Sequence, residues 1–439
     1  MKMGKRILSM LLGMILVLTM FSGIGCGLAE GEPTTITVFS PNVDRTSGRG
    51  LVEEMLANEY MQLHPNVKIV SETLENESYK PKLKAYIASN ALPDIIYIWD
   101  QPSWLDPVVA ADQVEPLNKA FLTDEAFTEA SWDGVMYGEE CYGLPNQSEF
   151  YIMYYNKEIF QNNGLEIPTT FEELLSVSEA LRANGVQPCA MSGKEQWLGN
   201  NLIWNMMVQL DPHGIDKSRD ITANRSGRFA DYAPFVDAQK RFMQLVDVGF
   251  FHDNWLNADN SEMYNMFVSG QTAMMYFAGS YGYIASNLPD GMEEKIGTFL
   301  FPASVNDPGE NGDMCAQYVT CYSIAKGAPQ EAFDYLYWMM EKQQYTNYCW
   351  NHAGQLTAQD VTAYVSADDL NGLKGDILAM GNAVNVAGGL IWSETLNSTF
   401  VSSYTDLLSM MWAGMVSVDD MIAQLDVIAD ECYAEINQK

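Results

Sequence analysis

The sequence predicts an α/β fold built as two lobes with a cleft between them. Segments with strand and helix patterns alternate from Thr34 onward, and the alternation starts again at Phe150. Alternating strands and helices are typical of α/β sheets, and a second such set indicates a second lobe. A hydrophobic content of 47% with 12% aromatic residues can fill two cores and excludes a disordered acidic tail.

The first set of elements extends from Thr34 to Trp99. Apolar spacing predicts strands at Thr34–Ser40, Val67–Val70 and Ile95–Trp99, separated by helices at Leu51–Leu63 and Tyr79–Ser89. The first helix ends before Pro65, because a residue that precedes proline is pushed out of the α region. The last strand is apolar throughout, which is expected of a strand covered on both faces.

The second set begins with an aromatic strand at Phe150–Asn156. Thr170 with Glu173 has the pattern of a capping box, and Gly185 ends the helix that follows it. Further helices are predicted at 200–210, 232–248 and 261–269, and further strands at 272–277, 296–301 and 318–324. From Pro329 the pattern is mostly helical.

Composition limits the possible partners. The 439 residues include 24 Lys+Arg against 57 Asp+Glu, a formal net charge of −33, so nucleic acid and anionic membrane surfaces are poor partners. Four His leave little room for a His-rich metal site. The seven Cys include no C-x-x-C pair, so we expect no metal and no cofactor, while disulfides and free thiols both stay open.

The first 30 residues form a segment of their own. Lys2, Lys5 and Arg6 precede an almost wholly apolar run from Ile7 to Phe21, and small residues follow it. This order is typical of a bacterial secretory signal peptide, which we expect at 1–25. The apolar run is short for a spanning helix, which needs about 20 residues.

A lipid anchor is expected at Cys26. The segment Gly23-Ile24-Gly25-Cys26 resembles a lipobox, although Gly23 stands where Leu is usual. Ordinary cleavage after Ala29 and a Cys26 without any role are the alternatives. The favoured interpretation is an exported protein that is attached to the outer face of the cell membrane only through its N-terminal lipid.

Six short segments occur in a recognisable order behind the export signal, namely 91–97, 142–145, 154–160, 168–174, 270–281 and 333–336. In this order they resemble the extracellular solute-binding proteins of ABC importers, in the sugar-binding group that includes maltose-binding protein. The resemblance implies a periplasmic-binding-protein-like fold with discontinuous lobes and a hinge. Lobe one would comprise 34–147 plus 302–357, and lobe two 150–296 plus 364–439.

Most candidate ligand residues follow strands or lie in loops, where α/β sheets bind their ligands. Trp197, Asn200 and Asn201 instead share one face of a predicted helix with Trp204, at i, i+3, i+4, i+7 spacing, and packing in the core is the alternative for this face. Sugars present apolar C–H faces and hydroxyl groups, so their sites combine aromatic rings with amide or charged groups. The candidates up to the first crossing between lobes are Asn42, Asp44, Arg45, Asp100, Gln101, Trp104, Asn146, Gln147 and Glu149. The later candidates are Trp197, Asn200, Asn201, Gly279, Ser280, Tyr281, Gln355, Trp392 and Glu394.

The resemblance implies a monomeric lipoprotein that captures a carbohydrate in the cleft and delivers it to an ABC permease, without covalent chemistry. Abundant aromatic residues favour an oligosaccharide. An exported glycoside hydrolase is one alternative, and it would need two carboxylates about 5 or about 6.5–9.5 Å apart. A ligand sensor for a membrane receptor is another. The segment 278–282 approximates a nucleophile elbow, but Ala278 replaces its first glycine.

Overall fold

The computed structural model describes residues 33–117, 127, 129–132, 134–285, 288–314, 317–341, 344–386 and 396–437. The predicted signal peptide and Cys26 lie outside these residues, as do Trp392 and Glu394. The strands are β1 (Thr34–Ser40), β2 (Val67–Thr73), β3 (Ile95–Trp99), β4 (Met136–Tyr137), β5 (Glu140–Cys141), β6 (Leu144–Glu149), β7 (Tyr151–Asn156), β8 (Gln187–Ala190), β9 (Thr272–Ala278), β10 (Ile296–Phe299), β11 (Asp313–Met314), β12 (Gln317–Ile324) and β13 (Asn385–Val386).

The α-helices follow the same order along the chain. They are α1 (Gly48–Leu63), α2 (Asn76–Ser89), α3 (Leu105–Ala110), α4 (Lys157–Asn162), α5 (Phe171–Ala183), α6 (Gln196–Leu210), α7 (Gly214–Asn224), α8 (Ala233–Asp247), α9 (Asn260–Val268), α10 (Tyr281–Ala285), α11 (Gln330–Met340), α12 (Gln344–Tyr348), α13 (Gly372–Ala383), α14 (Ser398–Trp412) and α15 (Val418–Asn437). A π-helical turn covers Cys349–Ala353.

The first sheet has the strand order β2-β1-β3-β12-β6. Strand β1 pairs in parallel with β2 and β3, because α1 and α2 carry the chain back between them. Strand β12 is antiparallel to both of its neighbours. Ile36, Phe39, Leu56 and Ile96 belong to the core that this sheet forms with its helices.

Helix α1 buries apolar residues together with two charged ones. Val52, Leu56 and Tyr60 are buried, whereas Leu63, the last residue of the helix, is 59% exposed. Arg49 and Glu53 share the buried face and are only 5% and 6% exposed. A search for apolar spacing misses them because both side chains are charged.

The second sheet has the strand order β10-β7-β9-β8, in which β7 is antiparallel to β10 and β9. Helices α6, α14 and α15 contribute to its core. The capping box of α5 forms with one change: the Thr170 hydroxyl accepts from the Glu173 N–H at 3.2 Å, but the Glu173 carboxylate accepts from the Thr169 N–H at 2.8 Å. The predicted two-lobed α/β architecture is confirmed.

The first crossing between the sheets is very short. Phe150 alone separates β6 in the first sheet from β7 in the second. The Gly279 N–H donates to the Phe150 carbonyl at 2.7 Å, and a Cβ at Gly279 would lie 2.2 Å from the Phe150 ring. Gly279, a predicted ligand residue, therefore packs against the crossing at Phe150. No larger residue fits at position 279.

The two hydrophobic cores draw on different parts of the chain. One uses residues between 36 and 144 and between 321 and 358, and the other uses residues between 150 and 314 and between 373 and 432. Met314 lies in the second core, so the chain returns to the first lobe later than the predicted position 302. The remaining lobe limits stay predictions.

Two further properties concern the described part of the chain. None of its helices combines the length and apolar character that a membrane span requires. The cysteines at 141, 189, 321, 349 and 432 are free and buried, which favours the free-thiol alternative for these five.

Candidate ligand-binding cavity

A cavity of about 520 Å³ lies between the two lobes. Lobe one lines it with Pro41, Asn42, Asn76, Glu77, Lys80, Tyr97, Trp99, Gln101, Trp104, Gln147 and Thr320. The first crossing and lobe two line it with Glu149, Tyr151, Glu195, Gln196, Trp197, Asn200, Asn201, Trp204, Asn260, Phe277, Ala278, Tyr283, Val401, Tyr404 and Thr405. Aromatic and amide side chains thus face the cavity from both sides.

The lobe-one wall is built at the ends of β1 and β3 and at the start of α2. The Trp99 and Trp104 rings lie 4.9 Å apart between centroids, and both are partly buried. The Lys80 ammonium lies 5.7 Å from the Trp99 ring centroid and 2.8 Å from the Glu77 carboxylate. This wall therefore presents indole rings that adjoin a paired charge.

The lobe-two wall is formed mainly by α6. Trp197, Asn200, Asn201 and Trp204 follow the i, i+3, i+4, i+7 spacing of one helix face, and all four line the cavity. The Asn200 carbonyl accepts from the Tyr404 hydroxyl at 2.9 Å, which fixes its orientation. Trp204 is 4% exposed and belongs to the lobe-two core as well.

A hydrogen-bonded network joins the lobes beside the first crossing. The Glu149 carboxylate accepts from the Gln147 amide, from the Tyr283 hydroxyl at 3.2 Å and from the Tyr151 hydroxyl at 3.0 Å. Gln147 in turn accepts from the Tyr97 hydroxyl at 2.8 Å. Burial raises the pKa of Glu149, although these donors and a nearby guanidinium oppose the rise.

That guanidinium belongs to Arg49 on the buried face of α1. It donates to the Leu356 carbonyl at 2.8 Å and to the Tyr345 hydroxyl at 3.3 Å. Burial raises the pKa of the Tyr283 hydroxyl to about 12, and the positive charge of Arg49 opposes this rise as it opposes the rise at Glu149. Arg49 thus holds a buried charge close to the polar end of the cavity.

Two predicted residues after β1 stabilise the loop instead of facing the cavity. The Asp44 carboxylate accepts from the Ser47 hydroxyl at 2.5 Å and from the Thr46 hydroxyl and N–H at 2.6 and 2.8 Å, and these bonds lower its pKa to about 2. Arg45 forms a 2.9 Å ion pair with Glu53. Both therefore hold the start of α1.

The other predicted residues outside the cavity lining are mostly buried. Asp100 is 3% exposed, and its burial raises the pKa of its carboxyl group. The Asn146 carbonyl accepts from the Thr320 hydroxyl at 2.6 Å. Ser280 and Gln355 are buried, and the hydroxyl of the half-buried Tyr281 donates to Glu293 at 3.2 Å.

Several lining residues were not among the predicted ones. Trp99 ends β3, so its place at the end of a strand could have identified it. Trp204 lies on the face of α6 that the helical spacing predicts for Trp197, Asn200 and Asn201. Tyr97, Tyr283 and the residues of α14 carry no local signal, because only the tertiary fold brings them to the cavity.

The carboxylates that line the cavity already have protein partners. Glu77 pairs with Lys80, Glu149 accepts the three donors described above, and Glu195 accepts from the Ser192 hydroxyl. Burial raises the pKa of Glu195, and the negative charges of Asp259 and Glu77 add to the rise. Among the described residues, no group of three or more His, Cys, Asp or Glu side chains could hold a metal ion.

Two α/β lobes that enclose a cavity lined from both sides define a two-lobed binding protein. The profile of the bacterial extracellular solute-binding proteins matches residues 44–346. The chain therefore belongs to the bacterial extracellular solute-binding protein family, as its motifs predict.

Relatives of known name agree with this assignment. The chain is 27% identical over 235 residues to the multiple sugar-binding protein of Streptococcus mutans, which covers 52% of this chain and 54% of that protein. It is 33% identical over 131 residues to the maltotriose-binding protein of Pyrococcus abyssi, which covers 29% of this chain and 27% of that protein. The chain thus spans about half the length of the first relative, and both relatives are named as binding proteins, not as enzymes.

Solved structures share the fold over nearly the whole chain. A chitin oligosaccharide binding protein has a TM-score of 0.80 at 19% identity and covers 92% of this chain and 100% of its own. The solute-binding protein RafE in complex with raffinose has a TM-score of 0.70 at 19% identity and covers 91% and 100%. At these identities the likeness concerns the fold.

Proposed function

We propose that this protein captures a carbohydrate, specifically an oligosaccharide, in the cavity between its lobes and delivers it to an ABC permease. The observation that carries the proposal is the composition of the cavity walls, where indole and phenol rings occur together with amides and carboxylates on both lobes. Rings pack against the C–H faces of sugars, while amides and carboxylates bind their hydroxyl groups. The names of the two relatives, which bind sugars, support the same ligand class.

The proposed ligand contacts are the predicted residues that line the cavity, namely Asn42, Gln101, Trp104, Gln147, Glu149, Trp197, Asn200 and Asn201. Because they come from both lobes, a ligand that touches both walls stabilises the closed arrangement over an open one. Closure by hinge motion would then present the loaded form to the permease. No covalent step is needed.

The first experiment is thermal unfolding of the mature protein with a panel of mono- and oligosaccharides, followed by product analysis of the same samples. A ligand that binds only the native state adds about 2.7 kcal/mol of stability at 100 times its Kd. A raised midpoint with intact sugar supports the proposal. Cleaved sugar would identify a hydrolase, and no shift across the panel would reject a carbohydrate ligand.

Delivery to a permease needs its own test, since a sensor would bind the same sugar. The purified protein, loaded with the sugar that shifts its midpoint, is added to the permease reconstituted with its ATPase subunits. Stimulated ATP hydrolysis is expected for a transport receptor. Binding without any stimulation would favour the sensor alternative.

Light scattering of the mature protein checks the monomeric state that we propose.

The lipid anchor at Cys26 is a separate part of the proposal. The family is extracellular, and the thiol of Cys26 would carry the diacylglyceryl group after removal of residues 1–25. Cys26→Ser is expected to abolish labelling with a radioactive fatty acid and to release the protein from the membrane fraction. Ala29→Leu, which disturbs the alternative cleavage site, should leave labelling unchanged. A wild-type protein that takes up no fatty acid and is found outside the membrane fraction would show ordinary cleavage.

A further inference from the structure

We propose that Glu53 is a positioning residue, which turns the side-chain amide of Asn42 so that its carbonyl oxygen accepts a hydrogen from a hydroxyl group of the bound sugar. The inference rests on the proposed function, because it assigns the ligand group at one point of the same cavity. Asn42 lies directly after β1 and lines the lobe-one wall, whereas Glu53 lies behind it on α1.

Glu53 is a nearly buried carboxylate that neighbouring donors hold in place. It is 6% exposed, and its Oε1 accepts from the Asn42 Nδ2 at 2.6 Å, the Ser40 hydroxyl at 2.8 Å and the Tyr322 hydroxyl at 2.9 Å. Its Oε2 accepts from the Arg45 guanidinium at 2.9 Å. Donors from β1, β12 and the loop before α1 therefore converge on one side chain.

The charge of Glu53 decides which way the Asn42 amide points. An ionised carboxylate can only accept hydrogen bonds, and the NH₂ group is the only part of a side-chain amide that can donate one. The Nδ2 of Asn42 must therefore face Glu53, and its Oδ1 must face away. The Ser40 hydroxyl, which donates to Glu53, also accepts from the Asn42 backbone N–H at 3.2 Å and so holds the base of the side chain.

The carbonyl oxygen of Asn42 has no donor among the described residues, so it is available to a ligand. An amide oxygen accepts hydrogen bonds, and the ligand must therefore supply a donor at this position, which in a sugar is a hydroxyl group. A sugar that lacks this hydroxyl leaves the oxygen without a partner. We expect such a deoxy sugar to bind about 2- to 10-fold more weakly.

The substitution Glu53→Gln would no longer fix the orientation of the Asn42 side-chain amide. The new amide at position 53 can either donate or accept, so the Asn42 amide could adopt both orientations. Glu53→Gln is therefore expected to weaken sugar binding about 2- to 10-fold, although residue 53 does not line the cavity. If Glu53→Gln does not fold, Glu53→Asp keeps the charge near Arg45 but shortens the reach to Asn42 and should have the same effect.

The test is a double-mutant cycle measured by isothermal titration calorimetry with an oligosaccharide that shifts the unfolding midpoint. Asn42→Ala alone should weaken binding, and adding the change at Glu53 should cause no further loss, because Glu53 acts through Asn42. Tyr322→Phe is the matched control. It removes another donor to Glu53 without touching Asn42, so it should lower the unfolding midpoint and leave Kd unchanged.

A panel of monodeoxy sugars adds a readout that a purely structural role would not change. Wild type and Tyr322→Phe should discriminate against one member of the panel, while Asn42→Ala and the Glu53 variants should lose that discrimination. Equal losses from the Glu53 change in both Asn42 backgrounds would overturn the inference, as would full discrimination in Glu53→Gln. A wild-type protein that binds no sugar would instead reject the proposed function, and the inference with it.

Discussion

The indole rings that line the cavity differ in how deeply they belong to the cores of their lobes. Trp204 on the lobe-two wall is a member of the lobe-two core. Trp99 and Trp104 on the lobe-one wall are partly buried and pack against the edge of their core, as Trp197 does in lobe two. At Trp204 the same side chain therefore lines the cavity and stabilises the fold.

This difference teaches that a loss of binding has two different origins in this protein. A change on the lobe-one wall can remove a ligand contact and leave the lobe intact. A change at Trp204 on α6 can lower affinity through a loss of lobe stability alone, without the loss of any ligand contact. Each variant therefore needs a measurement of unfolding beside its titration with sugar.

Trp204→Ala should have the largest effect on stability. The ring is 4% exposed, and replacing a buried Trp with Ala costs about 3–5 kcal/mol of the free energy of unfolding. The Trp204 indole N–H has no hydrogen-bond partner among the described residues, so the loss comes from packing. Urea unfolding followed by circular dichroism measures it.

Trp104→Ala is the matched change on the other wall. Its ring is partly buried, so we expect a loss of about 1 kcal/mol. Equal losses in the free energy of unfolding for Trp204→Ala and Trp104→Ala would refute the contrast between the two rings.

Gly282→Ala should come next, and it would act on the contact between the lobes. A Cβ at Gly282 would lie 1.8 Å from the Ala353 carbonyl oxygen, and the Gly282 N–H donates to the Gly354 carbonyl at 2.8 Å. Overpacking of this kind costs about 1–3 kcal/mol. We expect a lower unfolding midpoint and weaker sugar binding, since the lobes must separate to admit the methyl group.

Gly227→Ala serves as the control for this change. The nearest atom to its added Cβ would be 3.8 Å away, on Ile221. We expect its stability to stay within about 0.5 kcal/mol of wild type. A Gly282→Ala protein that behaves like this control would show that the lobe contact adjusts without cost.

Glu149→Gln should change how stability depends on pH. Because burial raises the pKa of Glu149, the folded protein keeps a proton there at pH values where the unfolded chain has lost it. The stability gained in this way is present below the unfolded pKa, about 4.3, and is lost as the pH rises through the folded pKa. The difference in free energy of unfolding, wild type minus variant, should fall as the pH rises from about 4.

Asp44→Asn should give the opposite trend. Hydrogen bonds from Ser47 and Thr46 lower the pKa of Asp44 to about 2, so its contribution is present above the unfolded pKa, about 3.9, and is lost as the pH falls. The difference, wild type minus variant, should fall as the pH drops from about 4 toward 2. Urea titrations over this pH series measure both variants, and parallel trends would contradict the assignment.

Lys80→Gln should have the smallest effect. The Lys80 and Glu77 side chains are 27% and 58% exposed, and exposed pairs contribute at most about 1 kcal/mol. We expect a small loss of stability at low salt that disappears at high salt, because mobile ions screen exposed charges. A large loss that persists at high salt would place this pair in the structural framework of lobe one.

Much of the fold could be predicted from local pattern. The bounds of β1 and β3 agree with the predicted strands, because their apolar runs are short and end at polar residues. The stripe of α6 was recognised because its aromatic and amide residues recur at helical spacing. Local pattern succeeds where one element alone decides burial.

The rest depends on partners that are distant in the sequence. Glu53 is buried because Tyr322 donates to it from β12, and Arg49 is buried because Leu356 accepts from it. Asp44, which does not line the cavity, depends on near neighbours instead, since Thr46 and Ser47 donate to its carboxylate. A charged residue in a helix, such as Arg49 or Glu53, gives no local sign that a distant partner will bury it.

The single-residue crossing at Phe150 has a mechanical consequence. A rotation of one lobe about this point moves each atom in proportion to its distance from the pivot. Glu149 and Tyr151 flank the pivot and would barely move, whereas lining residues farther from Phe150 would move more. A ligand group beside Glu149 would therefore keep its surroundings longest, and release would begin in the part of the cavity farthest from Phe150.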